Sequence, residues 1–292
     1  MRVATSLLLF VITVMDAGST LYAQQRTVPM EFDRLRPLRI AVVNTPDVLL
    51  EGLIATFQED TGYRVSLTIT EGVYDLARNG MADMVIAHYG HAGTEQFMSE
   101  GLGRWPRMVF SNQAVLVGPT SDPAGIRGMT DAAEAMRRIA QRGGEFLVNN
   151  ALTERYLGEV LWVAGGAPPK SGWQLDLGLR DQPAIEMAAQ RGAYTLWGLV
   201  PFVRLQQLRM EQQRPLGLEA LVLGDPMFPR VMVSVVVKAA AVPGINEEGA
   251  LAFERFLIAP ATQARIRQFR HHGLAAQTWW PAGRNNAGSE LP

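Results

Sequence analysis

In the stretch RIAVVNTPDVLL, Arg39 to Leu50, a short apolar run ends on Asn44 and Thr45, then passes through Pro46 into a helical pattern. An amide and a hydroxyl at such a corner can donate to a solute. The helix N-terminus behind them presents unpaired N–H groups that suit an anion. Thr45 serves equally well as a helix N-cap with Pro46 at the first helical position, and both roles are compatible. Thr70 and Gly72 close a second apolar run and read as readily as turn chemistry. His88 and His91 form an H-x-x-H at the end of a third. A metal site needs further ligands, and the chain has no cysteine, so a structural or cleft-wall histidine is the favoured reading there. The chain contains no G-x-S-x-G, no phosphate-cradling Walker loop and no H-E-x-x-H, so no enzyme is expected and no metal or cofactor site is assigned.

The elements that position these residues alternate. Periodicity predicts strand 39–43, a helix from Pro46 to Asp60, strand 64–70, a helix over 72–80 and strand 82–88. That β-α-β-α-β order implies a parallel sheet, with right-handed crossovers and a cleft at the carboxyl ends of its strands. A long strand follows at 107–119, then a helix over 130–144 with Thr130 as N-cap and a strand at 145–149. Helix 152–166, strand 173–178, helix 183–192, strand 193–198 and helix 201–210 come next. Strands at 218–224 and 230–238 precede a helix at 247–269 interrupted by Pro260. Two α/β blocks joined near 107–119 and 230–238 make a hinge-closing architecture the expectation.

At 292 residues and 48% hydrophobic content, the chain is long enough for two packed cores. A net charge of −1 gives no reason to expect a nucleic-acid partner. The N-terminal run LLLFVITVM, Leu7 to Met15, is too short to span a bilayer and suits the core of a cleavable signal peptide over 1–23. The expectation is an exported, periplasmic protein.

Several stretches resemble the substrate-binding proteins of tungstate ABC transporters, a branch of the type II periplasmic binding proteins. ARNGMADMVIAH carries the family's G-x-A-D signature in Gly80, Ala82, Asp83 and His88. AVLVGPTSDPAGIRG (114–128) is similar to its hinge segment, RGAYTL (191–196) to its A-Y-T-L, and PGINEEGALAFERFLIAPATQARIRQF to its C-terminal pattern. The resemblance implies an α/β, two-lobed fold, each lobe a sheet flanked by helices, joined by two crossing strands. It places lobe 1 at 38–118 and 230–283, lobe 2 at 119–229 and a tail at 284–292. It implies a small solute, tungstate or molybdate in kind, an ABC permease partner and a monomer. An alternative is a periplasmic sensor or interaction protein on a binding fold that has lost its transport ligand.

Carried over position by position, the resemblance makes Asn44, Thr45, Thr70, Gly72, Asn112, Asn149, Asn150 and Thr153 the candidate ligand residues. The ligand loops themselves are altered. Where the family has G-T-G-Q this chain has ITEG, and where it has S-R-G-D-x-S-G-T-H this chain has LVNNALTERY, with Val148 at the arginine and Glu154 in the S-G-T. Asp47 and Glu71 bring carboxylates to or near the corners, and neutral donors at 149, 150 and 153 favour a less charged solute or a weaker anion. Arg155 or Arg180 is the expected substitute cation.

Overall fold

The structure, a computed structural model, describes residues 36–43, 47–270 and 277–282. The signal-peptide reading, the 284–292 tail, Asn44 and Thr45 lie outside the described residues. In chain order the elements are β1 (Leu38–Val42), α1 (Asp47–Thr61), β2 (Val65–Ile69), α2 (Val73–Arg78), β3 (Met84–His88), α3 (Thr94–Ser99) and β4 (Arg107–Pro119). They continue with α4 (Ala132–Gln141), β5 (Phe146–Leu147), α5 (Leu152–Ala164), β6 (Gln174–Leu175), α6 (Asp181–Arg191), β7 (Thr195–Gly198) and α7 (Leu199–Glu211). The chain closes with β8 (Leu218–Val222), β9 (Pro229–Val236), α8 (Glu247–Ile258), α9 (Pro260–Gln268) and β10 (Trp280–Pro281).

β1 lies parallel between β2 and β3, with Ile40 opposite both Leu67 and Met84. β3 then pairs antiparallel with β9, and β9 with residues Arg107–Gln113 of β4. The rest of β4, Ala114–Pro119, leaves that group and pairs antiparallel with β7 and β8. β4 therefore serves two groups of strands, and the chain returns from β8 through 223–228 to enter β9. The side-chain period of two is visible along β4. Ala114 and Leu116 join a core with Tyr194, Leu196 and Phe228, while Val115 and Val117 join another with Trp197, Leu199 and Phe202. Helices α4 and α5 cover the first of these faces, and α6 and α7 the second. A third core surrounds β1, β3 and β9 and includes Phe57, Phe110, Phe253 and Trp279.

Some local readings change. Asp131, not Thr130, caps α4, its carboxylate accepting from Glu134 N, because a carboxylate also complements the helix dipole. The strands expected at 145–149 and 173–178 shrink to two residues each, paired in parallel. The α3 turn, opened by Gly93 in the left-handed region, had no periodic signal long enough to find it.

Two buried contacts fix the frame. Asp83 is fully buried, and its Oδ2 accepts from Arg39 N (2.8 Å) and Nε (3.1 Å). Its Oδ1 accepts from Arg39 Nη2 (2.5 Å) and Asn246 N (2.8 Å). Gly80, at a φ of 66°, turns its carbonyl to the same guanidinium (2.5 Å). In the 114–128 segment the Tyr194 hydroxyl donates to Asp122 Oδ1 (3.0 Å) and accepts from Ala124 N (2.8 Å). Burial leads the causes that push this phenol up to about 12. Its ring packs against Gly118, where a Cβ would come within 2.3 Å of ring carbon Cδ1.

Replacing Asp83 by Ala strands a guanidinium and a buried N–H, so urea unfolding of Asp83→Ala is expected to show a loss of about 3–5 kcal/mol. Gly118→Ala forces the Tyr194 ring to move, and the same measurement should show a loss of about 1–3 kcal/mol.

Candidate ligand site

Because β1, β2 and β3 are parallel, the corners that follow them lie along one edge of the sheet. After β2, Thr70 N donates to Val42 O (3.0 Å) and Thr70 Oγ1 accepts from Gly72 N (3.2 Å). That hydroxyl shapes the turn into α2, with Gly72 as its N-cap. After β3, His91 N donates to His88 O (2.9 Å), which folds both imidazoles into one turn. The His91 ring packs 5.6 Å from Tyr74, and its Nε2 is 3.9 Å from Glu71 Oε2. The Nδ1 atoms of His88 and His91 are buried without a hydrogen-bond partner among the described residues.

β9 adds the group that sequence reasoning passed over. His88 sits opposite Met232 on β9, and Asn112 of β4 sits opposite Arg230. Residues 230 and 232 share a side of β9, so His88, Arg230 and Asn112 share a face of the sheet. Asn112 Oδ1 is a third buried polar atom without a partner. Arg230 is half-buried and makes no ion pair within 4.0 Å among the described residues. The only sequence signal was a charged residue opening the otherwise apolar run VMVSVVV.

From the second sheet comes the first turn of α5, which carries Thr153 and Glu154. Glu154 lines a hollow with Val148, Asn149 and Arg155. Burial raises the Glu154 pKa, Asp181 adds to the rise, and Arg230 opposes it. Burial pushes the Arg230 guanidinium down, against the pull of Glu154. Burial, then Arg230 and His91, hold His88 down to about 4. The field of Arg230 thus reaches His88 at the end of β3 and Glu154 on α5.

The remaining candidates are placed as follows. Asn149 is buried, its Oδ1 accepting from Ala151 N (3.1 Å) and Asp181 N (2.9 Å) and its Nδ2 donating to Leu196 O (3.1 Å). It braces α5, α6 and β7, and holds Asp181 at a φ of 55°. Asn150 donates to Asp176 Oδ1 (2.8 Å) and accepts from Arg155 Nη1 (2.8 Å). Arg180 pairs with Asp181 (3.1 Å). Arg155 and Arg180 are therefore both engaged in lobe-local contacts, whereas Arg230 is not. No group of three or more metal-ligating side chains is found among the described residues.

An ABC transporter anion-binding protein of Haloferax volcanii is 33% identical to this chain over 252 residues, covering 84% of this chain and 70% of that protein. The chain belongs to the tungstate-type ABC substrate-binding family. The tungstate-binding protein TupA of Peptoclostridium acidaminophilum is 24% identical over 80% of each chain. The solved structure of TupA from Desulfovibrio alaskensis G20 superposes with a TM-score of 0.72 at 27% identity, over 84% of this chain and 99% of that one. No family model matches the chain. The two strand groups are the two lobes of a periplasmic-binding-protein fold.

His88 gives this face a pH signature. Its folded pKa of about 4 lies below the ordinary 6.5, so the unfolded chain takes up the proton first. Stability is then lost as pH falls from 6.5 towards 4, by at most roughly 3 kcal/mol at about 1.4 kcal/mol per unit. His88→Gln should remove that loss, read as the difference between the two proteins' urea unfolding free energies at either end of this window.

Proposed function

We propose that this protein is an exported solute-binding protein that captures a small oxyanion between its two lobes and presents it to the permease of an ABC transporter. The observation that carries the reading is Arg230, a half-buried guanidinium with no ion-pair partner among the described residues, on the same sheet face as His88 and Asn112 and with its charge felt at Glu154 on α5. A buried cation without a partner is costly, and a bound anion offsets that cost. The partnerless Nδ1 atoms of His88 and His91 and the Asn112 amide add polar groups to the same face. We take residues 38–118 and 230–283 as lobe 1 and 119–229 as lobe 2, with Ala114–Val117 of β4 packed into the cores of lobe 2. Closure would bring Glu154 and Thr153 towards Arg230.

The names of the relatives put tungstate first among the ligands to try. Their binding role, and the unpaired cation here, favour transport over a sensor that has lost its ligand. Among the described residues no helix is long and apolar enough to cross a membrane. Monomeric periplasmic action with a separate permease remains the proposed setting.

A thermal-shift panel of tungstate, molybdate, sulfate, phosphate and neutral solutes tests this. An oxyanion at 100 times its Kd should add about 2.7 kcal/mol of stability, a rise of roughly 5–10 °C. Arg230→Gln should weaken that binding by about 3 kcal/mol, roughly a hundredfold, whereas Arg180→Gln should change it little. A shift with neutral solutes alone, or one indifferent to Arg230, would sink the oxyanion reading.

A further inference from the structure

Two neighbouring tryptophans near the end of the chain send their rings to different lobes. β10 pairs antiparallel with Phe110 and Ser111 of β4, on the edge of β4 that β9 leaves open. Successive residues of a strand point to opposite faces. Trp279 accordingly enters the core of the first sheet, edge-on to Phe110 with ring centroids 5.2 Å apart. Trp280 is half-buried and packs instead against the second-lobe core that holds Trp197 and Leu199. The base of this segment is fixed in lobe 1, because Thr278 and Trp279 are buried and Gln277 Nε2 donates to Trp279 O (2.9 Å).

The start of α7 returns the exchange. Leu199 lies in the second-lobe core, whereas Val200, the next residue, lies in the core of the first sheet. Both divided pairs sit beside the point where β4 changes lobes. β7 reaches β4 at Ala114, three residues and about 10 Å along the strand from the Ser111 that faces Trp280. The covalent crossings there are β4 and the return through 223–228. Two strands side by side leave the lobes free to bend and twist about them. A ring anchored through β10 to lobe 1 and seated on lobe 2 removes part of that freedom.

We infer that Trp280 is a positioning residue for ligand capture. It makes the C-terminal segment a third, non-covalent crossing, which confines the lobes to the narrow range of orientations from which they close on a ligand. Lobes already confined have less conformational entropy to lose on binding, and apparent affinity falls with the fraction of molecules in the competent arrangement. The crossing itself follows from packing; only its effect on affinity rests on the oxyanion reading above.

The chain has no cysteine, so Glu95→Cys on α3 and Gln190→Cys on α6, both exposed, put one spin label on each lobe. Double electron–electron resonance on this pair should give a narrow distance distribution, a broader one after Trp280→Ala, and a narrow one again with Trp280→Phe, which keeps an aromatic ring in the seat. Isothermal titration should show tungstate binding to Trp280→Ala at least about fivefold more weakly than to the wild type, with Trp280→Phe within about twofold. Phe57→Leu truncates the core of the first sheet on α1. It should lower the urea midpoint yet leave the distribution and the affinity unchanged. If Trp280 only covered an apolar edge, Trp280→Ala would behave as Phe57→Leu does, and the inference would be overturned. Equal or tighter tungstate binding by Trp280→Ala would overturn it as well. If tungstate binds none of the folded proteins while Trp280→Ala still broadens the distribution, the oxyanion reading falls and the third crossing stands.

Discussion

A single buried carboxylate, Asp83, ties together segments that lie far apart in the chain. It receives the backbone and guanidinium of Arg39 at the start of β1, and the backbone N–H of Asn246 at the start of α8. Asn246 in turn caps α8 by accepting from Gly249 N (2.9 Å). Since β1 and β3 are parallel neighbours, locking their amino ends also fixes where their carboxyl ends arrive. The G-x-A-D stretch is thus an anchor at one end of β3, and His88 lies at the other. The distance between the two is five residues of strand, rigid enough for a brace at one end to place a side chain at the other.

The face that carries His88, Asn112 and Arg230 owes its character to an arrangement of unequal neighbours. Arg230 comes from a strand that is antiparallel to both β3 and β4, so its side chain enters beside theirs from the opposite chain direction. Its charge depresses the protonation of His88 and draws Glu154 towards ionisation, while burial acts against the charged form of all three. The 148–154 loop, where the family resemblance puts ligand residues, is hydrogen-bonded scaffolding centred on Asn149.

Much of this frame was legible from periodicity. The β-α-β-α-β opening, the long strand at 107–119 and the helix pair split at Pro260 all follow from spacing, capping and proline placement, and the structure has them in those places. The short parallel pair β5 and β6 was over-read because Val148 and Leu177 continue the apolar pattern beyond the paired residues, where Asn149 and Asp176 turn to side-chain hydrogen bonds instead. The site was far less legible. Corner residues announce themselves through turn chemistry, and Thr70 and Gly72 do form a turn. Arg230 had no such signal, since an arginine at the edge of an apolar strand looks like any solvated terminus until the pairing of β9 between β3 and β4 is known.

Gln113 and Pro229 are partners in the β4–β9 ladder, so the chain leaves the first sheet and re-enters it at one spot. Entropically, everything between them is one closed loop, whose closure cost grows only with the logarithm of its length. The core of the first sheet takes just one of its buried members, Val200, from that loop. The second lobe is therefore a cassette. Recombination at two adjacent points could exchange it whole, carrying off Asn149 and Glu154 and leaving Arg230 and His88 behind to meet a new set of partners.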